Sequence, residues 1–323
     1  MVPMKNVCHI FDSIDYNLGD IYFMKHSIFE GSAAAVVTPM DAYGNLDLDA
    51  MGQLLDRILE GGTDAVVVNG TTGESATLDD REKMAVIEFV IRHVDGRVPV
   101  IAGTGSNCTE HAVSLSREAQ KLGADALLQV TPYYNKASQA GLVRHFTEVG
   151  DHVGIPILLY NVPSRTGVCI QPETYRVLSE HPNIRGTKEA GGNMSMLAKT
   201  AALCGEGFDI YSGNDDQTVP IMALGGKGVI SVLANIMPKE THDMCRYFLD
   251  GKTEESRNMQ LKLIPMMEAL FWDVNPIPVK AALSLMGICG DSCRLPLTPM
   301  DGAQKEKLAA VMRKYMQIPV VGG

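Results

Sequence analysis

Eight short runs of apolar, often β-branched residues recur along the chain and set the strongest limit on its fold. The runs are continuous rather than alternating, which is typical of strands buried on both faces, as in a parallel sheet. Segments with helical spacing separate them; in 48–59, Met51, Leu54 and Leu55 share one face, and the pattern ends at Gly61. The predicted strands are 33–37, 65–68, 98–102, 126–130, 157–160, 184–187, 209–212 and 228–232, and the other predicted helices are 79–93, 111–122, 139–149, 172–179, 193–203 and 215–224.

This alternation of strand and helix predicts an α/β fold, a closed (β/α)8 TIM barrel rather than two Rossmann halves. We assign the barrel to residues 29–252. The stretch 253–323 shows only helical patterns, interrupted by prolines, and is predicted to be a C-terminal helical appendage. Residues 1–28 follow no pattern and are predicted to form a flexible N-terminal extension.

Composition excludes several classes of partner. The chain has 323 residues, of which 46% are hydrophobic, and a formal net charge of −10, which argues against nucleic acid or an anionic membrane as a partner. No apolar stretch approaches the roughly 18 residues of a membrane span, and the N-terminal residues lack a secretory pattern. We therefore predict a cytoplasmic protein whose seven scattered cysteines are reduced thiols.

The sequence predicts no metal or other cofactor. Cys289 and Cys293 are close in sequence, but two thiols without a second pair make a poor zinc site. None of the eight histidines ends a predicted strand, so metal-dependent chemistry has no evident ligands. Asp215 and Asp216 follow the seventh strand and would repel a phosphate, so we expect a substrate without one.

Polar residues follow several predicted strands, at the face of the barrel where enzymes of this fold hold their active sites. Lys188 ends the sixth strand and Tyr160 ends the fifth. A lysine at this position could be an ordinary surface residue, but further polar loops on the same face favour a site. Those loops contain 70–75, 131–136, Arg165 and 212–216.

A lysine and a tyrosine on neighbouring strands suit Schiff-base chemistry. An amine with a pKa of about 10.4 is unprotonated in about one molecule in a thousand at neutral pH, and burial lowers such a pKa. Imine formation also needs a proton carrier, for which Tyr160 is well placed, with Thr71 or Thr72 as a bridge to Tyr134. Taken singly, each hydroxyl could be an ordinary buried group. Arg165 could form a surface ion pair, although its loop suits bidentate binding of a carboxylate.

Six motifs occur in order along the chain: Gly70-Thr-Thr-Gly-Glu-Ser75, Thr131-Pro-Tyr-Tyr-Asn135, Tyr160-Asn-Val-Pro-Ser-Arg-Thr-Gly167, Lys188-Glu-Ala, Gly228-Val-Ile-Ser-Val232 and Asn275-Pro-Ile-Pro-Val-Lys-Ala-Ala282. Together they resemble the dihydrodipicolinate synthase family of pyruvate-dependent class I aldolases. The resemblance runs from about residue 29 to the C-terminus. Six motifs in register are far more specific than any one of them.

The resemblance implies a reaction and its residues. Pyruvate would form a Schiff base on Lys188, and the resulting enamine would attack L-aspartate 4-semialdehyde to give 4-hydroxy-tetrahydrodipicolinate, in lysine and diaminopimelate biosynthesis. Such an enzyme is a lyase, expected in the carbon–oxygen (hydro-lyase) class, and uses no cofactor. By motif position, Tyr160, Thr71 and Tyr134 form the proton relay. The implied substrate contacts are Thr72 with the pyruvate carboxylate, Arg165 with the semialdehyde carboxylate, and Gly213 and Ile230 in the pocket.

The resemblance also implies assembly and regulation. Tyr134 would reach into the site of a neighbouring subunit, which implies a homo-oligomer, with a dimer of dimers (a homotetramer) expected. Many family members are inhibited by lysine, at positions that correspond here to Ser75, Ala76, Asn107 and Tyr133. Where sensitive members often carry His, His and Glu, this chain has Asp80, Lys83 and His111, so an incoming ammonium loses its partner and meets a like charge. We therefore predict weak or absent inhibition by lysine.

Two alternatives to this reaction remain open on the sequence. One is a sister lyase of the same barrel family, acting on N-acetylneuraminate or a 2-keto-3-deoxy sugar acid. The paired threonines and Arg165 argue against it, because a tight carboxylate-binding loop suits a short aldehyde better than a long polyol. The other alternative is a catalytically silent barrel kept for binding or assembly, which the presence of Lys188, Tyr160 and Thr71 makes less favourable.

Overall fold

Eight parallel strands close into a barrel in the order in which they occur along the chain, so the predicted TIM barrel is confirmed. The structure is a computed structural model that describes residues 27–316. Each observed strand begins and ends within two residues of its predicted bounds. The strands are β1 Gly31–Ala35, β2 Ala65–Val68, β3 Val100–Gly103, β4 Ala126–Val130, β5 Ile157–Asn161, β6 Ile184–Glu189, β7 Asp209–Ser212 and β8 Gly228–Ser231.

Helices follow the strands around the outside of the barrel. The seven predicted helices are present, although the one predicted over 215–224 begins only at Thr218, because Asp215–Gln217 form a separate turn. The sequence patterns did not predict the short helix α5. The helices are α1 Leu48–Glu60, α2 Asp80–Val94, α3 Thr109–Leu122, α4 Gln139–Asp151, α5 Pro163–Thr166, α6 Pro172–Ser179, α7 Met194–Cys204, α8 Thr218–Ala223, α9 Pro238–Leu249, α10 Thr253–Ala269, α11 Ile277–Leu285 and α12 Gly302–Tyr315.

Local sequence explains where these helices start. The side chain of Asp47 accepts a hydrogen bond from the Ala50 amide and caps α1. Before α2, Asp79 and Glu82 form a reciprocal capping box, in which each side chain accepts from the backbone of the other. These caps satisfy amides that would otherwise lack partners at the helix ends.

Glycine allows the barrel to close. β1 pairs with β8, and Gly31 lies opposite Gly228. Gly228 has a φ of +148°, and a Cβ atom there would lie 1.7 Å from the Gly31 carbonyl oxygen. Since no side chain fits in that space, the first and last strands can meet only through glycine at this position.

The amino-terminal end of the barrel is closed by the residues just before β1. Phe29 stacks on Tyr211 with ring centroids 4.3 Å apart, and the Tyr211 hydroxyl donates to the Phe29 carbonyl at 2.7 Å. The Ser27 hydroxyl donates to Asp209 at 2.9 Å. Most of the predicted flexible extension, residues 1–26, lies outside the described residues. This arrangement leaves the opposite end of the barrel as the open face.

The helices after the barrel pack against its side and reach its open face. α10 packs against α9, and α12 packs against both α10 and α11. The predicted boundary between residues 252 and 253 falls where α9 has ended and α10 begins. No helix in residues 27–316 is both long and apolar enough to span a membrane.

Candidate active site

Lys188 lies on β6 at the carboxyl end of the barrel. In the sheet register it pairs with Tyr160 on β5 and with Tyr211 on β7. Its side chain is buried, with 5% of its surface exposed, and Nζ lies 4.5 Å from the centroid of the Tyr160 ring. The structure therefore brings together the lysine and the tyrosine that were predicted from the sequence to act together.

A glycine and an isoleucine bound the space beside this lysine. The Gly213 amide donates to the Glu189 carbonyl at 2.7 Å. A Cβ atom on Gly213 would lie 2.8 Å from the Ala190 Cβ and 3.2 Å from the Lys188 Cε, so only glycine fits without displacing the lysine. Ile230, on β8, is fully buried in the interior of the barrel.

Thr71 and Thr72 lie on a tight loop after β2, which is four strands from β6 and so faces Lys188 across the barrel mouth. The Gly73 amide donates to the Gly70 carbonyl within this turn. Thr71 is partly exposed, whereas Thr72 is buried with 2% of its surface exposed. The side-chain amide of Asn275, from the segment before α11, donates to the Thr72 hydroxyl at 3.0 Å.

A buried ion pair supports this loop from behind. Lys280 Nζ on α11 lies 2.6 Å from Glu74 Oε1, and neither side chain is exposed by more than 1%. Glu74 has a φ of +54°, a strained conformation for a residue other than glycine, and its other carboxylate oxygen accepts from the Arg294 amide. Lys280 also donates to the Thr38 carbonyl at 3.1 Å. Two of the sequence motifs contain Glu74 and Lys280, but sequence reasoning assigned neither a role.

Arg165 lies on α5 at the rim of the same face. Its Nη2 lies 3.5 Å from the backbone carbonyl oxygen of Asn275, and its side chain is exposed. α5 ends at Gly167, which has a φ of +74° and so makes the left-handed turn that stops the helix after one turn. The guanidinium is thus available to an anion at the entrance.

Tyr134 is not brought to the other relay residues within a single copy of the chain. It has a φ of +76°, and 87% of its surface is exposed. Neighbouring Tyr133 is 40% exposed. No hydrogen bond joins Tyr134 to Tyr160 or Thr71 in the described part of the chain. Large exposed aromatic side chains of this kind are enriched at protein–protein interfaces.

Asp215 is buried between β7 and β8 and does not face the solvent. It accepts hydrogen bonds from the Ser231 hydroxyl at 2.5 Å and from the amides of Val232 and Leu233. Burial raises the pKa of Asp215, whereas these hydrogen bonds and the charge of Lys188 act to lower it. The amides after β8, where this fold often binds phosphate, are therefore already occupied by a carboxylate.

Glu189 lies on the outer face of β6, directly after Lys188. It accepts from Asn161 at 2.9 Å, from the Gly191 amide at 2.8 Å and from the Tyr175 hydroxyl at 3.1 Å. Burial raises the pKa of the Glu189 carboxyl. These contacts tie the ends of β5 and β6 together on the side away from the barrel interior. Sequence reasoning did not assign Glu189 a role, although it lies in the quoted Lys188-Glu-Ala motif.

Within residues 27–316 no group of three or more His, Cys, Asp or Glu side chains could hold a metal ion. The barrel instead offers a buried amine, a phenol, two hydroxyls and a guanidinium on one face. The fold and site thus define the class: a (β/α)8 barrel with a buried lysine at the carboxyl ends of its strands, where enzymes of this fold hold their active sites.

Comparison with known proteins gives the family. The sequence model of the dihydrodipicolinate synthetase family matches residues 28–315, and the chain belongs to that family. It is 55% identical over 289 residues to 4-hydroxy-tetrahydrodipicolinate synthase of Caldicellulosiruptor bescii, covering 90% of this chain and 98% of that relative. A crystal structure of dihydrodipicolinate synthase from Aquifex aeolicus has a TM-score of 0.88 at 44% identity, covering 91% of this chain and 100% of that one. The corresponding enzyme of Thermotoga maritima has a TM-score of 0.88 at 41% identity, with 90% and 99% covered.

Proposed function

We propose that this chain condenses pyruvate with L-aspartate 4-semialdehyde to 4-hydroxy-tetrahydrodipicolinate, as the names of its relatives indicate for them. The reaction would serve lysine and diaminopimelate biosynthesis. The observation that carries the proposal is Lys188: a buried amine at the catalytic face of the barrel, next to a phenol and without an ion-pair partner among residues 27–316.

The reaction would begin with attack of the unprotonated Lys188 amine on the pyruvate ketone. The carbinolamine loses water to form an imine, and loss of a methyl proton converts the imine to an enamine. The enamine carbon attacks the aldehyde carbon of the second substrate, whose oxygen takes up a proton. The amino group of that substrate then attacks the imine carbon, closes the ring and releases Lys188. One water is released overall, which fits the predicted carbon–oxygen lyase class.

The other site residues would bind substrates and carry protons. Tyr160 lies beside the amine and would exchange protons with the carbinolamine, with Thr71 as the next hydroxyl. Thr72 would hold the pyruvate carboxylate, and Arg165 would bind the semialdehyde carboxylate at the rim. We propose that Tyr134, exposed in one copy of the chain, completes the relay in a second copy of a homo-oligomer.

A coupled assay tests this function. The purified chain is given pyruvate and aspartate semialdehyde, and NADPH oxidation by added dihydrodipicolinate reductase is followed. We expect turnover in the wild type and none above background in Lys188→Ala. A folded wild type that traps pyruvate on borohydride treatment but shows no turnover would contradict the proposed second substrate and favour a sister aldolase.

A further inference from the structure

Asn275 connects the helical appendage to the loop that carries Thr72. The hydrogen bond from Asn275 Nδ2 to Thr72 Oγ1 joins residues 203 positions apart. Both side chains are buried, with 5% and 2% of their surfaces exposed. A contact this distant in sequence and this protected from water fixes the Thr72 side chain relative to the helical appendage.

The direction of this hydrogen bond decides what the Thr72 hydroxyl can still do. A hydroxyl has one hydrogen to donate and two lone pairs to accept with. Thr72 Oγ1 uses a lone pair to accept from Asn275, so its own hydrogen remains free. No protein acceptor for that hydrogen is found in residues 27–316. The hydrogen is therefore available to an acceptor on a bound ligand.

Other contacts hold Asn275 in place. Its backbone carbonyl oxygen lies 3.5 Å from Arg165 Nη2. Five residues further on, Lys280 forms the fully buried ion pair with Glu74, which lies on the same loop as Thr72. Asn275 Oδ1 is buried and has no partner within the described residues. Within the described residues, the contact with Thr72 is therefore the only hydrogen bond that the Asn275 side-chain amide makes.

We propose that Asn275 is a positioning residue that directs the hydroxyl hydrogen of Thr72 toward the carboxylate of pyruvate. The inference rests on the function proposed above. Asn275 does not touch the substrate itself: it occupies the accepting side of the hydroxyl, so that the donating side faces the pocket. A hydrogen bond to a charged carboxylate is stronger than one between neutral groups, so the orientation of this hydrogen affects affinity for pyruvate.

The variant Asn275→Asp keeps the shape of the side chain but replaces its donor by an acceptor. The Thr72 hydroxyl would then donate to the introduced carboxylate, and a negative charge would lie near the carboxylate of pyruvate. We expect the pyruvate concentration for half-maximal trapping on Lys188 to rise about 30-fold. In Asn275→Ala the hydroxyl would only lose its orientation, and we expect a rise of about fivefold.

The test measures borohydride trapping of pyruvate by mass spectrometry, without the second substrate. Each Asn275 variant is made in the wild type and in Thr72→Val, where the hydroxyl is absent. If Asn275 acts through Thr72, Asn275→Ala should change affinity by less than about twofold in the Thr72→Val background. Asn275→Asp should lose less affinity there than in the wild type, because only the repulsion by the added charge remains. An equal loss of affinity in both backgrounds would overturn the inference, as would an unchanged affinity of Asn275→Asp in the wild type.

Acidification gives a second readout that a purely structural role would not change. Protonation of the introduced carboxyl restores a donor, so the deficit of Asn275→Asp relative to the wild type should shrink at low pH. If Asn275→Asp does not fold, the Thr72 dependence is measured with Asn275→Ala. Absence of any pyruvate adduct in the wild type would contradict the proposed function, and the inference would fall with it. A normal wild-type adduct with no Thr72-dependent effect would contradict the inference alone.

Discussion

Two buried lysines, one at the barrel mouth and one in the helical appendage, have opposite surroundings. Lys188 has 5% of its surface exposed and lies over the ring of Tyr160, with no ion pair among residues 27–316. Lys280 has no exposed surface, and its Nζ lies 2.6 Å from a carboxylate oxygen of Glu74 and 3.1 Å from the Thr38 carbonyl oxygen. Both lysines are therefore buried, but they differ in what contacts the amine: an aromatic ring at Lys188, and a carboxylate and a carbonyl oxygen at Lys280.

The partner decides what each amine can do. A lysine attacks a carbonyl only after it has lost its proton. Lys280 donates to Glu74 and to the Thr38 carbonyl, so this lysine links α11 to the loops after β1 and β2. The face of an aromatic ring attracts a cation much less than a carboxylate does, and under the proposed function Lys188, which lies over the Tyr160 ring, is the amine that reacts. A buried lysine is therefore a candidate nucleophile only where no carboxylate pairs with it.

Replacing Lys188, the proposed nucleophile, should have the largest effect on activity. In Lys188→Met, we expect turnover to fall by at least about 10³-fold, because no other group in the site can form the imine. The unfolding midpoint should change little, since Lys188 is not part of an ion pair. Turnover and borohydride trapping of pyruvate are measured together. If pyruvate is still trapped on a different lysine in the variant, the contrast drawn between Lys188 and Lys280 is wrong.

Replacing the structural lysine should affect stability first. Lys280→Met leaves the buried Glu74 carboxylate without its partner, and we expect the free energy of unfolding to fall by about 3–5 kcal/mol. Denaturant unfolding of Lys280→Met, and of the same variant combined with Glu74→Gln, measures this. The double variant should recover part of the loss, because no unpaired charge stays buried. If Lys280→Met folds normally but no longer traps pyruvate, the division of roles between the two lysines is wrong.

A buried histidine tests the effect of burial without a charged partner. His145 is 5% exposed, and its Nδ1 lies 2.9 Å from the hydroxyl of Thr109. Burial lowers the pKa of His145 to about 4. Between about pH 6.5 and that value the unfolded chain binds a proton that the folded chain does not, so stability falls as the pH falls through this window.

The change in pH from about 7.5 to 5.0 should therefore cost about 2 kcal/mol through His145. Unfolding is compared at both pH values for the wild type and for His145→Gln, which cannot take up this proton. Buried carboxyls with a raised pKa, such as Asp209 and Glu189, act in the opposite direction but are common to both chains. An equal pH dependence in the two chains would show that the histidine is not held neutral by burial.

Much of the fold was predictable because parallel strands, which are buried on both faces, appear in the sequence as continuous apolar runs. These runs predicted the start and end of all eight strands to within two residues. The third strand begins at Val100 rather than at residue 98, because Pro99 has no amide hydrogen for the sheet. The sixth strand continues to Glu189, two residues beyond its predicted end, because Lys188 and Glu189 are polar and do not extend the apolar run on which the prediction rested. Asp215–Gln217 form a turn because the side chain of Asp215 is directed into hydrogen bonds after β8.

The contacts between the loop after β2 and α11 could not be predicted from one sequence. Thr72 and Asn275 are 203 positions apart, and Glu74 and Lys280 are 206 apart. Local patterns reveal which residues share a helix face or end a strand, but they carry no information about which distant side chains meet. The polar residues at the barrel mouth could therefore be predicted from the sequence, whereas the distant side chains that contact and position them could not.

The smallest expected effect concerns a third lysine, on the outside of the barrel. Lys83 Nζ lies 3.2 Å from Asp80, whose other carboxylate oxygen lies 2.9 Å from His111 Nε2. The hydrogen bond from His111 lowers the pKa of Asp80, so this carboxylate stays charged and is shared by two basic groups. The position that the family resemblance assigns to an inhibitory lysine thus has no carboxylate left for an added ammonium, and Lys83 contributes a charge of the same sign.

We therefore expect about 1 mM lysine to change the turnover rate by less than about twofold, because the attraction that would offset desolvation of the ammonium is missing. The double variant Lys83→His with His111→Glu removes the like charge and supplies a carboxylate, and it should gain sensitivity. Turnover is measured in both chains over a range of lysine concentrations, with arginine as a control for general charge effects. Strong inhibition of the wild type below 1 mM would show that Asp80 can exchange its partners. The paired arrangement of Lys83 would then be labile, in contrast to the buried pair of Lys280, whose carboxylate is not accessible to a competing amine.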